Sequence, residues 1–212
     1  MAIVSSSHNF IYISGGKCAT ITIDSALKQN KQIRWYDPGL KTREDRLKYD
    51  RHMPAKIMKS RITRDEWDFF KFTFVRNPYS WIVSSYFYLV QKKMVKAPIN
   101  GIMERQNFED TIHYYQSPIG RRYDNTISIR TQYDFISDEK RNILVDFIGR
   151  VENLQDDFDK ICNKISIPHL NLEVKNKSKC NHLSYQNHYT RETKKLVEKY
   201  WSIDIEKFQY QF

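Results

Sequence analysis

Apolar positions along the chain fall into short unbroken runs, each closed by glycine or proline and followed by an apolar stripe of helical period. Phe10-Ile11-Tyr12-Ile13, stopped by Ser14-Gly15-Gly16, predicts a buried strand that ends in a tight turn. After Lys17 and Cys18, the residues Ala19, Ile23, Ala26 and Leu27 recur at helical spacing up to Lys28. A second unit repeats the scheme. Phe72-Thr73-Phe74-Val75 is strand-like, Asn77-Pro78 supplies an N-cap and a proline at the first helical position, and Trp81, Ile82, Tyr86, Leu89 and Val90 form the stripe. Val145-Asp146-Phe147-Ile148-Gly149 predicts a third strand, with Leu154, Phe158, Ile161 and Ile165 on one helical face after it. Thr190 opens a closing helix that carries Leu196, Val197, Tyr200 and Trp201. The stretch from Ile33 to Trp67, with the turn Asp37-Pro38-Gly39, is polar and predicted to be part helical. Val95 to Asp134 is broken by Pro98, Gly101, Pro118 and Gly120 and predicts short helices and site loops, and 175–179 reads as a basic loop. Strands alternating with helices predict an α/β fold with a mainly parallel sheet covered on both faces, built as one domain over 1–212.

Composition narrows the class. The chain has 212 residues with 40% hydrophobic content, 12 Phe and 14 Tyr, enough to build a core. Only 6 Gly and 6 Pro are present, which excludes a collagen-like or low-complexity chain. No run approaches the ~18–20 apolar residues of a membrane span, and the mean hydropathy is −0.69. The opening residues lack a basic segment followed by an apolar stretch, so a soluble, cytoplasmic protein is expected, with no membrane partner. Cys18, Cys162 and Cys180 are far apart and read as free thiols rather than as a disulfide or zinc set. With 35 Lys+Arg against 25 Asp+Glu, the net charge of +10 favours an anionic partner without choosing among nucleic acid, phosphorylated or sulfated molecules and acidic polymers.

The charge acquires places in the first two units. Backbone N–H groups that converge at Gly15-Gly16, just before a helix start, form an anion cradle, with Lys17 at its mouth and Thr20 and Thr22 as hydroxyl donors. The six-residue spacing of a Walker motif is missing, and Cys18 stands where a magnesium-binding Ser or Thr would follow the lysine, so a nucleoside triphosphatase is disfavoured. The competing reading is an ordinary turn with a solvated lysine. In the second unit Arg76, Ser80 and Ser84 share one helical face, an arrangement suited to a terminal phosphate. Its competitor is a capped helix whose arginine pairs with a carboxylate.

Together these segments resemble the two donor-binding motifs of sulfotransferases that use 3′-phosphoadenosine 5′-phosphosulfate, and more closely the carbohydrate branch. The likeness rests on Lys17-Cys18-Ala19 after Ser14-Gly15-Gly16, and on Phe72 through Tyr79 with Ser84 and Tyr86. Thr131-Gln132-Tyr133, Phe147 through Leu154 with Phe158, and Tyr189-Thr190 through Asp204-Ile205 to Phe208-Gln209-Tyr210 fit it in order. The resemblance implies a three-layer fold like that of P-loop kinases. It implies that Gly15, Gly16, Lys17, Cys18, Ala19, Thr20, Ile21 and Thr22 hold the 5′-phosphosulfate. Arg76 and Ser84 would then hold the 3′-phosphate, and Asn176, Lys177 and Ser178 would close over the nucleotide. Two departures stand out. Ile21 occupies a place where a hydroxyl is common, and Trp81 one where a second arginine often stands.

Sulfuryl transfer is an in-line displacement governed by positioning and electrostatics, so Lys17 is expected to neutralise the leaving phosphate oxygen. His52, within Arg51-His52-Met53-Pro54 between the motifs, is the expected general base for an acceptor hydroxyl, with a sugar as the expected acceptor. His8 falls in an amino-terminal segment expected to be loose, and His113, His169, His182 and His188 lack motif context, although His182 and His188 could line the acceptor cleft. Acceptor-binding loops are expected near 95–134 and 168–188. No metal is implied, and Glu152 is read as structural rather than catalytic. A small-metabolite kinase and a basic nucleic-acid binder are the alternatives. The second is disfavoured because acids interrupt the basic residues, so no nucleic-acid partner is expected.

Overall fold

Short strands carry many of the buried residues, among them Phe10, Tyr12, Phe72 and Phe74. The computed structural model describes residues 2–35, 52–91, 108–117, 131–173 and 182–212. Strands β1 (Ile3–Ser5), β2 (Phe10–Tyr12), β3 (Phe70–Val75) and β4 (Phe147–Arg150) form one sheet in the order β1-β2-β3-β4. β2 and β3, and β3 and β4, run parallel, whereas β1 lies antiparallel to β2. Phe10, Ile11 and Tyr12 are each wholly buried. Because successive side chains point to opposite faces, both faces of β2 are covered, as a parallel sheet flanked by helices requires. Phe72 stacks on Tyr12 at 5.1 Å and packs against Phe10 at 5.8 Å.

The chain contacts divide into two compact units, Met1–Arg76 with Gln132–Asn176 and Asn77–Thr131 with Lys177–Phe212. The first contains the whole sheet together with α1 (Thr20–Gln29), α2 (Ala55–Arg61), α3 (Arg64–Trp67), α6 (Gln132–Ile136) and α7 (Leu154–Lys164). Its strand-to-helix passages follow the hydrophobic pattern closely. β1 does not: three residues beside the terminus give no alternation to read. Instead of a loose end, the segment forms a hairpin whose turn puts Asn9 at φ 48°, a left-handed conformation asparagine tolerates. His8 sits in that turn, with Nδ1 2.9 Å from the Ser7 hydroxyl. The third strand starts two residues later than the sequence predicts, because Asp146 joins the sheet edge through its side chain. Its carboxylate accepts the Lys71 N–H at 2.7 Å while its own N–H donates to the Lys71 carbonyl at 2.8 Å.

The second unit is helical in its described residues. It comprises α4 (Pro78–Gln91), α5 (Phe108–Gln116), a 3-10 segment (His182–His188), α8 (Arg191–Tyr200) and α9 (Ser202–Lys207). Asn77 caps α4 as its sequence predicts, accepting the Tyr79 N–H at 3.0 Å. Thr190 and Thr193 close α8 reciprocally. Tyr79, Ile82, Ile112, Val197 and Trp201 form the core. Trp81 packs against it edge-on to Tyr115 at 5.0 Å, so this departure from the family pattern serves packing. No described helix is long and apolar enough to cross a membrane.

In the sheet, Phe74 and Gly149 are direct partners, and a Cβ on Gly149 would stand 2.5 Å from the Phe74 ring. The ring is buried. Gly149→Ala is therefore expected to destabilise the fold by ~1–3 kcal/mol, read as a lower urea midpoint at unchanged slope.

Candidate functional site

The site grows from the carboxyl ends of β2 and β3. Just past β2, the Ile13 N–H donates to the Phe72 carbonyl at 2.9 Å, and the Thr73 hydroxyl donates to the Ile13 carbonyl at 2.6 Å. This ties the chain down where the turn to α1 begins. The turn then coils tightly. The Cys18 N–H points to the Gly15 carbonyl at 3.4 Å, and the Thr20 hydroxyl donates to the same carbonyl at 2.7 Å. Thr20 thus spends its hydrogen inside the turn instead of offering it to the cradle. Thr22 is buried, and Ile21 is 48% exposed on the outer side of the helix.

The left-handed positions of this turn are not the glycines but Lys17, at φ 64°, and Ala19, at φ 55°. Non-glycine residues held there cost roughly 1–3 kcal/mol each and persist only where the surroundings impose them. Alternation of left- and right-handed residues turns successive N–H groups to one side, the geometry that makes an anion-binding concavity. Ala19, as the N-cap, has no side-chain acceptor for the first turn of α1.

Three further groups meet this turn. Arg76, one residue past β3, donates through Nη1 to the Lys17 carbonyl at 3.5 Å. Gln132, the first residue of α6, holds the Arg76 backbone by both of its amide atoms, at 2.8 and 2.7 Å, and accepts the Cys18 thiol at 3.2 Å. His52 lies on the other side, with Nδ1 3.0 Å from the Ser14 carbonyl. A carbonyl only accepts, so in the neutral ring Nδ1 carries the proton and Nε2 is the basic nitrogen. A Cβ on Gly16 would lie 3.6 Å from His52 Cδ2, which places the imidazole edge directly over the turn.

Burial, reinforced by the Arg76 guanidinium, pulls the Lys17 ammonium from its ordinary 10.5 down to about 8. Two cations brought together in a partly desolvated turn repel each other. An anion bound between them relieves that repulsion.

Comparison with known proteins decides what this arrangement belongs to. The family model described as the sulfotransferase family matches residues 1–211. The chain belongs to the sulfotransferase family. An uncharacterized protein of Archaeoglobus fulgidus is 30% identical over 126 residues, covering 55% of this chain and 84% of that relative. No solved structure matches. A sulfotransferase moves a sulfuryl group from an anionic donor, and a turn with two apposed cations at an uncapped helix start fits the anionic end of such a donor.

Of the residues the sequence marks for this sulfotransferase site, Gly15, Gly16, Lys17, Cys18, Ala19, Thr20, His52 and Arg76 come together in the first unit. Ser84 lies buried on α4 in the second unit, and Ser80 is buried one turn before it on the same helix. Asn176, Lys177 and Ser178 lie outside the described residues, as do most of 95–134. Glu152 is exposed in the 3-10 turn Val151–Asn153. His113 lies 3.6 Å from Glu109, and His169 bonds Asn163 at 2.8 Å. Sequence reasoning gave no role to Gln132, although the residue stands in a stretch that carries the family resemblance. A neutral amide shows neither charge nor periodicity.

Lys17 is depressed on folding, so between about 8 and 10.5 the unfolded chain binds more protons than the native one, and native stability rises with pH across that window. Lys17→Met is therefore expected to raise the melting temperature at pH 7. The gain should shrink as the pH climbs from about 8 towards 10.5, as scanning calorimetry over pH would show.

Proposed function

We propose that the protein transfers a sulfuryl group from 3′-phosphoadenosine 5′-phosphosulfate to a hydroxyl of a carbohydrate. The observation that carries this reading is the pairing of Lys17 with Arg76 across the turn before α1, with the basic nitrogen of His52 beside the same turn. Lys17 and the turn's N–H groups hold the 5′-phosphosulfate end. Arg76 neutralises phosphate charge, and its fork is suited to the 3′-phosphate. On the family resemblance alone, Ser84, Asn176, Lys177 and Ser178 complete the nucleotide contacts. The sugar acceptor likewise comes from the resemblance to the carbohydrate branch.

The chemistry follows from where charge develops. The acceptor oxygen attacks sulfur as the bond from sulfur to the 5′-phosphate oxygen breaks. His52 Nε2 takes the hydroxyl proton, and its Nδ1–H stays on the Ser14 carbonyl, which keeps the ring in the right tautomer. Lys17 faces the phosphate oxygen that gains charge as sulfur leaves. The products are a sulfate ester and 3′-phosphoadenosine 5′-phosphate. In this reading Lys17 supplies positive charge where negative charge accumulates, and no step is routed through a metal.

Titration calorimetry and thermal shift test the donor. 3′-phosphoadenosine 5′-phosphate should stabilise the protein, and neither ATP with magnesium nor a single-stranded oligonucleotide should do so comparably. Arg76→Ala is expected to weaken binding of the 3′-phosphorylated nucleotide by about tenfold or more, and that of adenosine 5′-phosphate far less. Equal losses for the two would remove Arg76 from the 3′-phosphate.

His52→Ala should leave nucleotide affinity in place and slow transfer by ~10²–10⁴-fold. Transfer is followed as a mass gain of one sulfuryl group across a panel of sugar acceptors, and unchanged turnover would take His52 out of the mechanism. Because Lys17 is partly neutral above about 8, nucleotide binding near that pH should take up protons from buffer. The uptake is read from calorimetry in buffers of different ionisation enthalpy and should vanish in Lys17→Met.

A further inference from the structure

Arg76 stands beyond the last paired residue of β3, since the register with β4 ends at Val75 opposite Arg150. Its backbone would normally pass into open loop there. Instead, the Gln132 side chain takes the place of a neighbouring strand. Oε1 accepts the Arg76 N–H at 2.8 Å, and Nε2 donates to the Arg76 carbonyl at 2.7 Å. The same Oε1 accepts the Cys18 thiol at 3.2 Å, and Cys18 is the residue next to Lys17. One carboxamide therefore joins the end of β3 to the turn before α1. Among the twenty side chains only Gln and Asn present one acceptor and one donor side by side as a peptide does, and Gln reaches one methylene further.

The clamp has a firm base. Gln132 opens α6, and the Tyr133 hydroxyl of that helix donates to the Arg141 carbonyl at 2.7 Å. The Arg141 guanidinium lies over the Tyr133 ring at 4.9 Å and pairs with Asp134 at 2.5 Å. The Leu144 N–H closes the segment onto the Ile136 carbonyl at 2.8 Å. A residue so anchored can resist a force, and there is one to resist: the guanidinium of Arg76 and the ammonium of Lys17 repel across the turn.

We propose that Gln132 is a positioning residue of this anion site: its carboxamide clamps the backbone of Arg76 and thereby sets where the guanidinium stands relative to Lys17. The consequence for catalysis rests on the donor reading given above, whereas the clamp itself does not. Gln132 acts through Arg76 and contributes alignment, with no contact to the reacting atoms required.

The test uses Gln132→Met, which keeps length and loses both hydrogen bonds, with Gln132→Asn as the shorter amide should Met fail to fold. Amide hydrogen exchange by NMR on the ligand-free protein reads the clamp directly. Exchange at Arg76 should accelerate about tenfold or more while the amides of Phe72 and Phe74 keep their protection. Affinity for 3′-phosphoadenosine 5′-phosphate reads its use. Gln132→Met should lose about tenfold with Arg76 present and less than about twofold in an Arg76→Ala background, because the residue it positions is gone. Unchanged exchange at Arg76 overturns the clamp, and equal affinity losses in both backgrounds overturn the positioning role in favour of general support. If the parent protein binds no 3′-phosphoadenosine 5′-phosphate, the donor reading fails, and the exchange measurement still decides for or against the clamp.

Discussion

Partial burial of the Lys17 ammonium, with the Arg76 guanidinium near it, is the constraint on which the turn before α1 depends. Neither cation is at the surface by accident of sequence. Lys17 is forced into a left-handed turn whose base is fixed by Thr73, and Arg76 projects from the end of a buried strand whose partners hold it in register. Folding partly strips the Lys17 ammonium of water and sets the Arg76 guanidinium near it, which pulls the lysine down to about 8. The cost of holding two cations near each other is met during folding.

The sheet makes that cost bearable. β2 and β3 are the inner strands, with aromatic rings buried on one face and Ile11, Thr73 and Val75 buried on the other, so their ends are poor places for the backbone to yield. Ligand sites of open α/β sheets gather outside the carboxyl ends of the strands for this reason: rigid strands deliver loops to a fixed place, and helix starts add partial positive charge. Here β2 delivers the turn of Gly15 to Ala19, and β3 delivers Arg76. The segments that return after Trp35 and after residue 130 deliver His52 and Gln132. Each arrives by a different route: His52 is seated on the Ser14 carbonyl, and Gln132 holds the Arg76 backbone by its amide N–H and carbonyl.

Strain and function coincide in the turn. Glycine would relieve the left-handed positions, yet the glycines present, Gly15 and Gly16, sit just before them, and Lys17 and Ala19 carry the left-handed backbone. Thr20 closes the turn from within, and so the exposed Ile21 leaves the shape of the cradle intact.

Most of the architecture was legible in the chain because burial on both faces of a strand and on one face of a helix imposes periods that a linear reading can detect. Phe10 to Ile13, Phe72 to Val75 and the stripes after Asn77, Asn153 and Thr190 all became the elements their patterns predict, and the motif residues Lys17 and Arg76 were found by their charge beside a turn or a cap. Trp81 could be noticed as a departure but not explained, since its partners Tyr115 and Trp201 are remote in sequence. The β1 hairpin was invisible because three residues give no period. Gln132 had no reason to stand out because its role consists of two hydrogen bonds to a residue 56 positions away. Local order is written in neighbouring residues, so sequence determined the strands, helices and caps. The meeting of Lys17 with Arg76, the seating of His52 on Ser14 and the grip of Gln132 depend on long-range contacts, and those exist only once the sheet has closed.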